Sequence, residues 1–204
     1  METDRSFKVI IAGGSVAGLT LANALEKAGI DFMVLEKGDI APRLGTSLVV
    51  FPHTANVFDQ LGVWHDIRQT ALPLSDRLHF DQHGRLFETS QVLKLLSEGT
   101  KRTPVFPERR AYLEALYNNL KDKSRVRDHA GLVSFTEDDD GVTVLTSTGE
   151  EVRGSILVGA DGIHSMVRKL MAESFAESDP QRAKDLNEGV CDEMSSPFFV
   201  FGPH

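Results

Sequence analysis

Lys8-Val-Ile-Ile-Ala-Gly-Gly-Ser-Val-Ala-Gly-Leu-Thr-Leu-Ala-Asn-Ala-Leu-Glu-Lys-Ala-Gly-Ile-Asp-Phe-Met-Val-Leu-Glu36 decides the fold. Apart from Lys8, residues 7–12 are apolar and mostly β-branched, the pattern of a short strand covered on both faces. Gly13-Gly14-Ser15 breaks that run. From Val16 to Ala28 the apolar positions Ala17, Leu21, Ala24, Leu25 and Ala28 fall at helical spacing, and Gly29 is placed to end the helix. Phe32-Met33-Val34-Leu35 predicts a second strand, stopped by Glu36-Lys37-Gly38. Strand, helix and strand within some thirty residues make a βαβ unit, so the expected class is α/β with a parallel sheet and right-handed crossovers.

The turn inside this unit carries the first chemistry. In the fingerprint G-x-G-x-x-G the first glycine permits the turn, the second lets backbone approach a pyrophosphate, and the third lets helix and strand pack closely. Gly13 and Gly18 fill the first and third places, with Gly14 between, while Ser15 occupies the second. Glu36 follows Gly18 at the end of the second strand, where a dinucleotide fold places an acid for ribose hydroxyls. A nucleotide-free α/β turn is the competing reading. The order strand, turn, helix, strand, acid favours a dinucleotide, and the acid favours FAD or NAD over a 2′-phosphorylated nucleotide. A second segment, Leu157-Val-Gly-Ala-Asp-Gly-Ile-His-Ser-Met-Val-Arg168, reads as a buried strand over 155–159, a glycine turn, and a helix over 161–171 that Asp161 can cap. Spacing alone leaves a plain capped helix there equally open.

Between these segments, a loop over 39–52 contains an extended piece at 47–51, and a helix over 53–60 closes at Gly62. Residues 77–80 and 85–88 flank Asp81-Gln-His-Gly84 as a strand pair around a turn. Glu108 to Leu120 predicts a strong helix. Leu132–Phe135, Val142–Leu145 and the neighbourhood of Val152 predict three short strands, with Glu137-Asp-Asp-Asp-Gly141 as a solvated hairpin tip. Pro197-Phe-Phe-Val-Phe201 reads as the start of a further strand. Trp64 is expected as a packing residue, and His79 and His83 as surface histidines without a third metal ligand. No serine has a visible base partner for a hydrolase triad.

The 204 residues, 41% hydrophobic and 25% charged, suit a soluble globular chain. Thirty Asp and Glu against 22 Lys and Arg give a formal charge of −8, which argues against a broad nucleic-acid binder. The one cysteine, Cys191, cannot form an internal disulfide, and a reducing compartment is the simplest setting. Neither a signal peptide nor a stretch approaching ~18 apolar residues is present, so a cytoplasmic protein without a membrane segment is expected.

The two glycine segments together resemble those of the single-component FAD-dependent monooxygenases of the aromatic hydroxylase class. The likeness extends through Glu36-Lys37, Ile40-Ala-Pro, Gly45-Thr-Ser, the Pro52–Gly62 helix and Pro107-Glu-Arg-Arg-Ala-Tyr. Within that class it is most similar to fungal enzymes that epoxidise or hydroxylate prenylated and terpenoid intermediates, several of which also carry Gly-Gly-Ser. The resemblance implies an FAD site built from Gly13, Gly14, Ser15, Gly18, Glu36, Lys37, Val49, Arg109, Asp161 and Gly162. Val49 stands where the family's flavin-side loop has glycine. It further implies NADPH as co-substrate, O₂, and a small organic substrate, with no side chain nominated for proton transfer. The expected division is an FAD-binding domain over 1–172, with residues 77–105 turned to the substrate side, and the beginning of a substrate domain over 173–204. The family's third FAD motif, a Gly-Asp pair, is not found. The expectation is therefore a Rossmann-like parallel sheet with a three-stranded β insertion, truncated before the substrate domain is complete. Two functions stay open: a monooxygenase, or an inactive FAD-binding remnant or partner-binding module. A dimer through the truncated sheet edge is a further expectation.

Overall fold

A computed structural model describes residues 7–43 and 45–187. Its elements in chain order are β1 (Lys8–Ala12), α1 (Val16–Ala28), β2 (Asp31–Leu35), α2 (Pro52–Leu61), α3 (Trp64–Gln69), β3 (Ala71–Pro73), β4 (Arg77–Phe80), β5 (Leu86–Ser90), α4 (Val92–Thr100), β6 (Val105–Pro107) and α5 (Arg109–Asn119). A 3₁₀ turn (Lys123–Arg125) then leads to β7 (Val126–Arg127), β8 (Leu132–Asp138), β9 (Gly141–Thr146), β10 (Glu151–Gly154), β11 (Ile156–Gly159), α6 (Met166–Phe175) and α7 (Pro180–Asn187).

The centre is a parallel sheet in the order β11-β1-β2-β7, with Ile10 opposite Met33 on one side and Leu157 on the other. Both of its faces are covered, which is why Val9 to Ala12 of β1 are all apolar rather than alternating. Val9, Ile11, Phe32 and Val34 pack against the helices, with Leu19, Ala22, Leu113 and Leu116. Ile10 and Leu35 point the other way, onto Val142, Val144 and Val152 of the antiparallel sheet β8-β9-β10. That sheet is the expected three-stranded insertion. Each fully buried side chain of this size stabilises by about 1.5–3 kcal/mol, so the three layers hold one another.

Local signals place the first helix well. At Gly29 the chain turns left-handed (φ 71°), its N–H donating to Glu26 O while Ile30 N–H donates to Leu25 O. Asn23 is buried in α1 and is satisfied across helices. Its amide donates to Leu19 O at 2.8 Å and Leu116 O at 2.9 Å, and its carbonyl accepts from Asn119 at 2.7 Å. This clamp fixes α5 against α1.

Two expectations need correction. The strand at 155–159 is not buried: Ile156 is 46% exposed, because among the described residues β11 pairs only with β1 and is a sheet edge. The helix expected from Asp161 begins at Met166, since Gly162 takes φ 86° and the residues before Ser165 form a turn instead. The sequence reading also missed α3, β3, α4, β6, β7 and α7. The paired strands β4 and β5 do stand around the Asp81–Gly84 turn, where Asp81 accepts from the N–H groups of His83 and Arg85. Cys191 and the expected strand at 197–201 lie outside the described residues.

Candidate functional site

The carboxyl ends of β1, β2 and β11 converge on one cleft, the place where open parallel sheets bind ligands. Two turns meet there. Gly13 has φ 110°, and a Cβ on it would overlap the carbonyl of Ala160 in the turn after β11. A Cβ on Gly18 would overlap the carbonyl of Gly13, so the helix can sit this close only without a side chain. Gly14 is constrained as well, because its Cβ would lie 2.9 Å from both Glu36 Cβ and Ile40 Cδ1.

Glu36 ties the first turn to the second strand. Its Oε2 accepts from Gly14 N–H at 2.6 Å and its Oε1 accepts from Gly38 N–H at 3.0 Å. The Glu36 backbone is held from the far side by Arg127 O and Ala130 N–H, both at 2.8 Å. Gly131 then passes over Lys37 so closely that a Cβ would come within 2.7 Å of Lys37 Cβ.

Ser15 is the N-cap residue of α1, but its hydroxyl makes no capping bond. Instead Ser15 Oγ accepts from Arg109 Nη2 at 3.0 Å. The first-turn N–H groups of α1 are therefore uncapped by any side chain, which leaves donors and the positive dipole end facing the cleft. Arg109 is delivered by the pairing of residues 46–50 with β6: Arg109 N–H donates to Thr46 O, and Gly45 (φ 91°) leaves room for the arginine side chain.

Asp161 works on its own turn. Its Oδ1 accepts from Ser165 Oγ at 2.6 Å, and its Oδ2 accepts from the N–H groups of Met166 and Val167 at 2.7 and 3.2 Å. Ser165 Oγ in turn accepts from Arg168 N–H at 3.0 Å. Asp161 and Ser165 thus cap α6 jointly, and the exposed loop from Gly162 to His164 is held at the cleft rim.

The resulting cleft has a volume of about 410 Å³. Gly13, Ser15, Glu36, Lys37, Arg109, Asp161 and Gly162 line it, drawn from four segments of the sequence. Gly14 and Gly18 shape it from behind. Val49 does not join them. Beyond Thr46 the chain runs antiparallel to β6 and carries Val49 into a separate apolar hollow beside Phe51 and Phe106. The sequence reading missed Gly131, Leu132, His164 and Met166, which complete the cleft walls. The signal for Gly131 was the strand β7, which at two residues is too short to announce itself. Among the described residues, no group of three His, Cys, Asp or Glu is placed to hold a metal ion, and no helix is long and apolar enough to cross a membrane.

A dinucleotide fits these residues: uncapped helix N–H groups for the pyrophosphate, an acid at the end of β2 for ribose hydroxyls, and a guanidinium across the cleft. Residues 6–194 match the family model described as "FAD binding domain". The chain belongs to the FAD binding domain family. An FAD-binding chain of this kind has curated relatives among fungal enzymes. It is 39% identical over 188 residues to the FAD-dependent monooxygenase cdmI of Talaromyces verruculosus, covering 92% of this chain and 39% of that one. It is 44% identical over 172 residues to the FAD-dependent monooxygenase subE of Metarhizium robertsii, covering 81% and 53%. The chain spans between about a third and a half of the length of the curated relatives it matches. Among solved structures, Klebsiella pneumoniae HpxO, complexed with FAD and uric acid, superposes with a TM-score of 0.71 at 26% identity, over 81% of this FAD-family chain and 42% of HpxO. The p-nitrophenol 4-monooxygenase PnpA of Pseudomonas putida shares the fold, with a TM-score of 0.72 over 81% of this chain and 44% of PnpA, at 24% identity. The α/β fold and the flavin family read from the motifs both stand.

Proposed function

We propose that the chain forms the cofactor-holding part of an FAD-dependent monooxygenase that uses NAD(P)H and O₂ to hydroxylate or epoxidise a small organic molecule, of terpenoid or meroterpenoid type, in fungal secondary metabolism. The observation that carries this reading is the meeting of Gly13, Glu36, Arg109 and the Asp161 turn in one cleft. The chemistry a bound FAD supplies is hydride acceptance from NAD(P)H and activation of O₂. The protein's own residues hold and orient. The Gly13–Gly18 turn and the open end of α1 receive the pyrophosphate, with glycine at 13 and 14 and the Ser15 hydroxyl held by Arg109. Glu36 keeps lone pairs beyond its two backbone bonds for ribose hydroxyls, with Lys37 beside it. Arg109, braced on Ser15, sets a positive charge over the cofactor, and the Asp161-Gly162 turn closes the opposite rim. Val49 is left out of the cofactor set.

We divide the chain into a flavin-binding part over 1–172, with 77–105 facing the substrate, and the beginning of a further part over 173–204; α6 straddles that division. A cytoplasmic location accords with the family. The second reading is a non-catalytic flavin-holding module that associates with another chain or with itself, favoured by an edge of β11 that is unpaired among the described residues. Purified protein titrated with FAD should quench flavin fluorescence and turn yellow. NADPH oxidation coupled to O₂ uptake then separates catalyst from module. Protein that is colourless once unbound FAD has been removed overturns both readings.

A further inference from the structure

Two serines stand at helix beginnings beside the same cleft, and they behave differently. Ser165 caps α6: its Oγ accepts from Arg168 N–H at 3.0 Å, and its proton goes to Asp161 Oδ1 at 2.6 Å. Both sides of that hydroxyl are used inside the fold. Ser15 holds the same place at α1, with the extended backbone of an N-cap residue (φ −96°, ψ −160°), yet its side chain makes no capping bond. It accepts instead from Arg109 Nη2 at 3.0 Å, a partner 94 positions away. A capping serine gives its lone pair to an N–H of the first turn. Here that lone pair serves a guanidinium delivered from α5.

The Ser15 proton is then left over. A guanidinium has five N–H donors and no acceptor, so Arg109 cannot take it. Among the described residues the Ser15 O–H has no acceptor, although the half-buried Ser15 lines the cleft. The carboxylates of the same wall are engaged elsewhere: Glu36 accepts from Gly14 and Gly38, and Asp161 from Ser165, Met166 and Val167. The path of the arginine is fixed as well, since its N–H donates to Thr46 O and a Cβ on Gly45 would come within 2.9 Å of Arg109 Cδ. A hydroxyl that accepts from a cation donates more strongly, and this one does so beside the open N–H groups of α1. The acceptor that suits all of these donors is an anionic oxygen.

We infer that Ser15 is a positioning residue for the cofactor and does more at its place than the glycine of the fingerprint would. Its oxygen holds the Arg109 guanidinium at the cleft, and its proton is donated to a phosphate oxygen of the bound dinucleotide, so Ser15 and Arg109 act as one unit. This rests on the reading above that the cleft holds FAD, and it adds which side chains meet the pyrophosphate and how they depend on each other. The fingerprint alone predicts the reverse: a side chain at the second place stands between backbone and pyrophosphate, and removing it should tighten binding.

The test is titration of the full chain with FAD and with ADP, which carries two phosphates without the flavin. Ser15→Gly should weaken both by about tenfold or more, the loss of a hydrogen bond to a charged group. Ser15→Ala, which keeps the Cβ and loses the hydroxyl, should bind FAD no better than Ser15→Gly. Arg109→Gln should cost at least as much as Ser15→Gly. Independent losses multiply, whereas the Ser15→Gly/Arg109→Gln double variant should fall short of the product by about threefold or more. Arg110→Gln, next along α5 and paired with Glu114 outside the cleft, is the control and should stay within about twofold of the parent protein. Glycine is tolerated at an N-cap, so cofactor-free Ser15→Gly should melt within about 4 °C of the parent protein.

The inference is overturned if Ser15→Gly binds FAD as tightly as the parent protein or more tightly, or if FAD is weakened and ADP is not. It is also overturned if the double variant reaches the product, or if Arg110→Gln costs as much as Arg109→Gln. A larger fall in cofactor-free melting in both Ser15→Gly and Ser15→Ala would make Ser15 a brace of the fold and overturn it too. A parent protein that binds no FAD sinks the cofactor reading and this inference with it. A parent protein that binds FAD beside an unaffected Ser15→Gly sinks the inference alone.

Discussion

Replacing Glu36 by alanine should destabilise the chain before any cofactor is added. The carboxylate accepts the N–H of Gly14, which is buried, and the N–H of Gly38, which is partly solvated. Removing it leaves the Gly14 N–H of that part-buried bond without its acceptor at the wall of the cleft. A buried donor left unsatisfied costs about 1–3 kcal/mol, and the Gly38 bond adds less because water can take it over. The expected loss is about 2 kcal/mol, which for a chain of this size lowers the melting temperature by about 4–8 °C. Glu36→Gln keeps one acceptor oxygen and turns an NH₂ group toward the other N–H, so it should fall roughly midway. The assay is thermal denaturation followed by circular dichroism, without FAD. In parallel, the flavin dissociation constant should rise about tenfold in Glu36→Ala, the equivalent of one lost hydrogen-bonded contact of about 1.4 kcal/mol. A cofactor-free melting temperature within about 1 °C of the parent protein would refute the reasoning, because Glu36 would then be an acid waiting for ribose and not a brace of the glycine turn.

Further outcomes follow from the same geometry. Gly18→Ala forces a methyl group into the Gly13 carbonyl and should cost about 2–3 kcal/mol, read by chemical denaturation, together with loss of flavin binding. Asp161→Ala removes the acceptor of two α6 N–H groups; a loss of about 1 kcal/mol and weaker FAD binding are expected, whereas unchanged melting would show that Ser165 caps the helix alone. Arg153, bonded to Asp138 through two nitrogens, holds that carboxyl down from its ordinary 3.8 to about 2. A depressed carboxyl contributes stability above its unfolded value and loses it as pH falls through its folded value. The melting difference between the parent protein and Arg153→Ala should therefore be present near neutral pH and vanish by about pH 2, and a difference that grows on acidification would contradict the assignment.

The parts of the fold legible in the sequence were those whose cause is local. β1, α1 and β2 follow from an apolar run, a helical repeat and Gly29, and the β4–β5 pair follows from the Asp81 turn. What escaped has distant causes. Val126-Arg127 is a strand only because Val34 and Leu35 offer it an edge, and β3 and β6 exist as three-residue pieces because each completes the other. α4 looked unremarkable because only Leu93 of its apolar residues is buried; Val92, Leu95 and Leu96 remain exposed. The cleft shows the same division. Glycine spacing and the acid at Glu36 locate two of its walls, and Arg109 came from likeness to a family. That Glu36 braces Gly14, that Gly131 must be small for Lys37, and that Val49 faces away from the cleft are facts of contact between segments roughly 20 to 95 residues apart.

The sheet register has a consequence for how the chain is made. Val9 pairs with Phe32, only 23 positions away, but its other neighbour is Ile156, 147 positions away. The nucleotide turn is shut on one side by Ala160 and on the other by Arg109, so neither the βαβ unit nor any early fragment owns a finished pocket. At ~5–20 residues per second, synthesis leaves β1 with one bare flank for roughly ten seconds or more. Cofactor capture is thus a late event of biosynthesis, and during the wait it is the unpaired side of β1, rather than the surface of the finished protein, that is open to chaperones or to a neighbouring nascent chain.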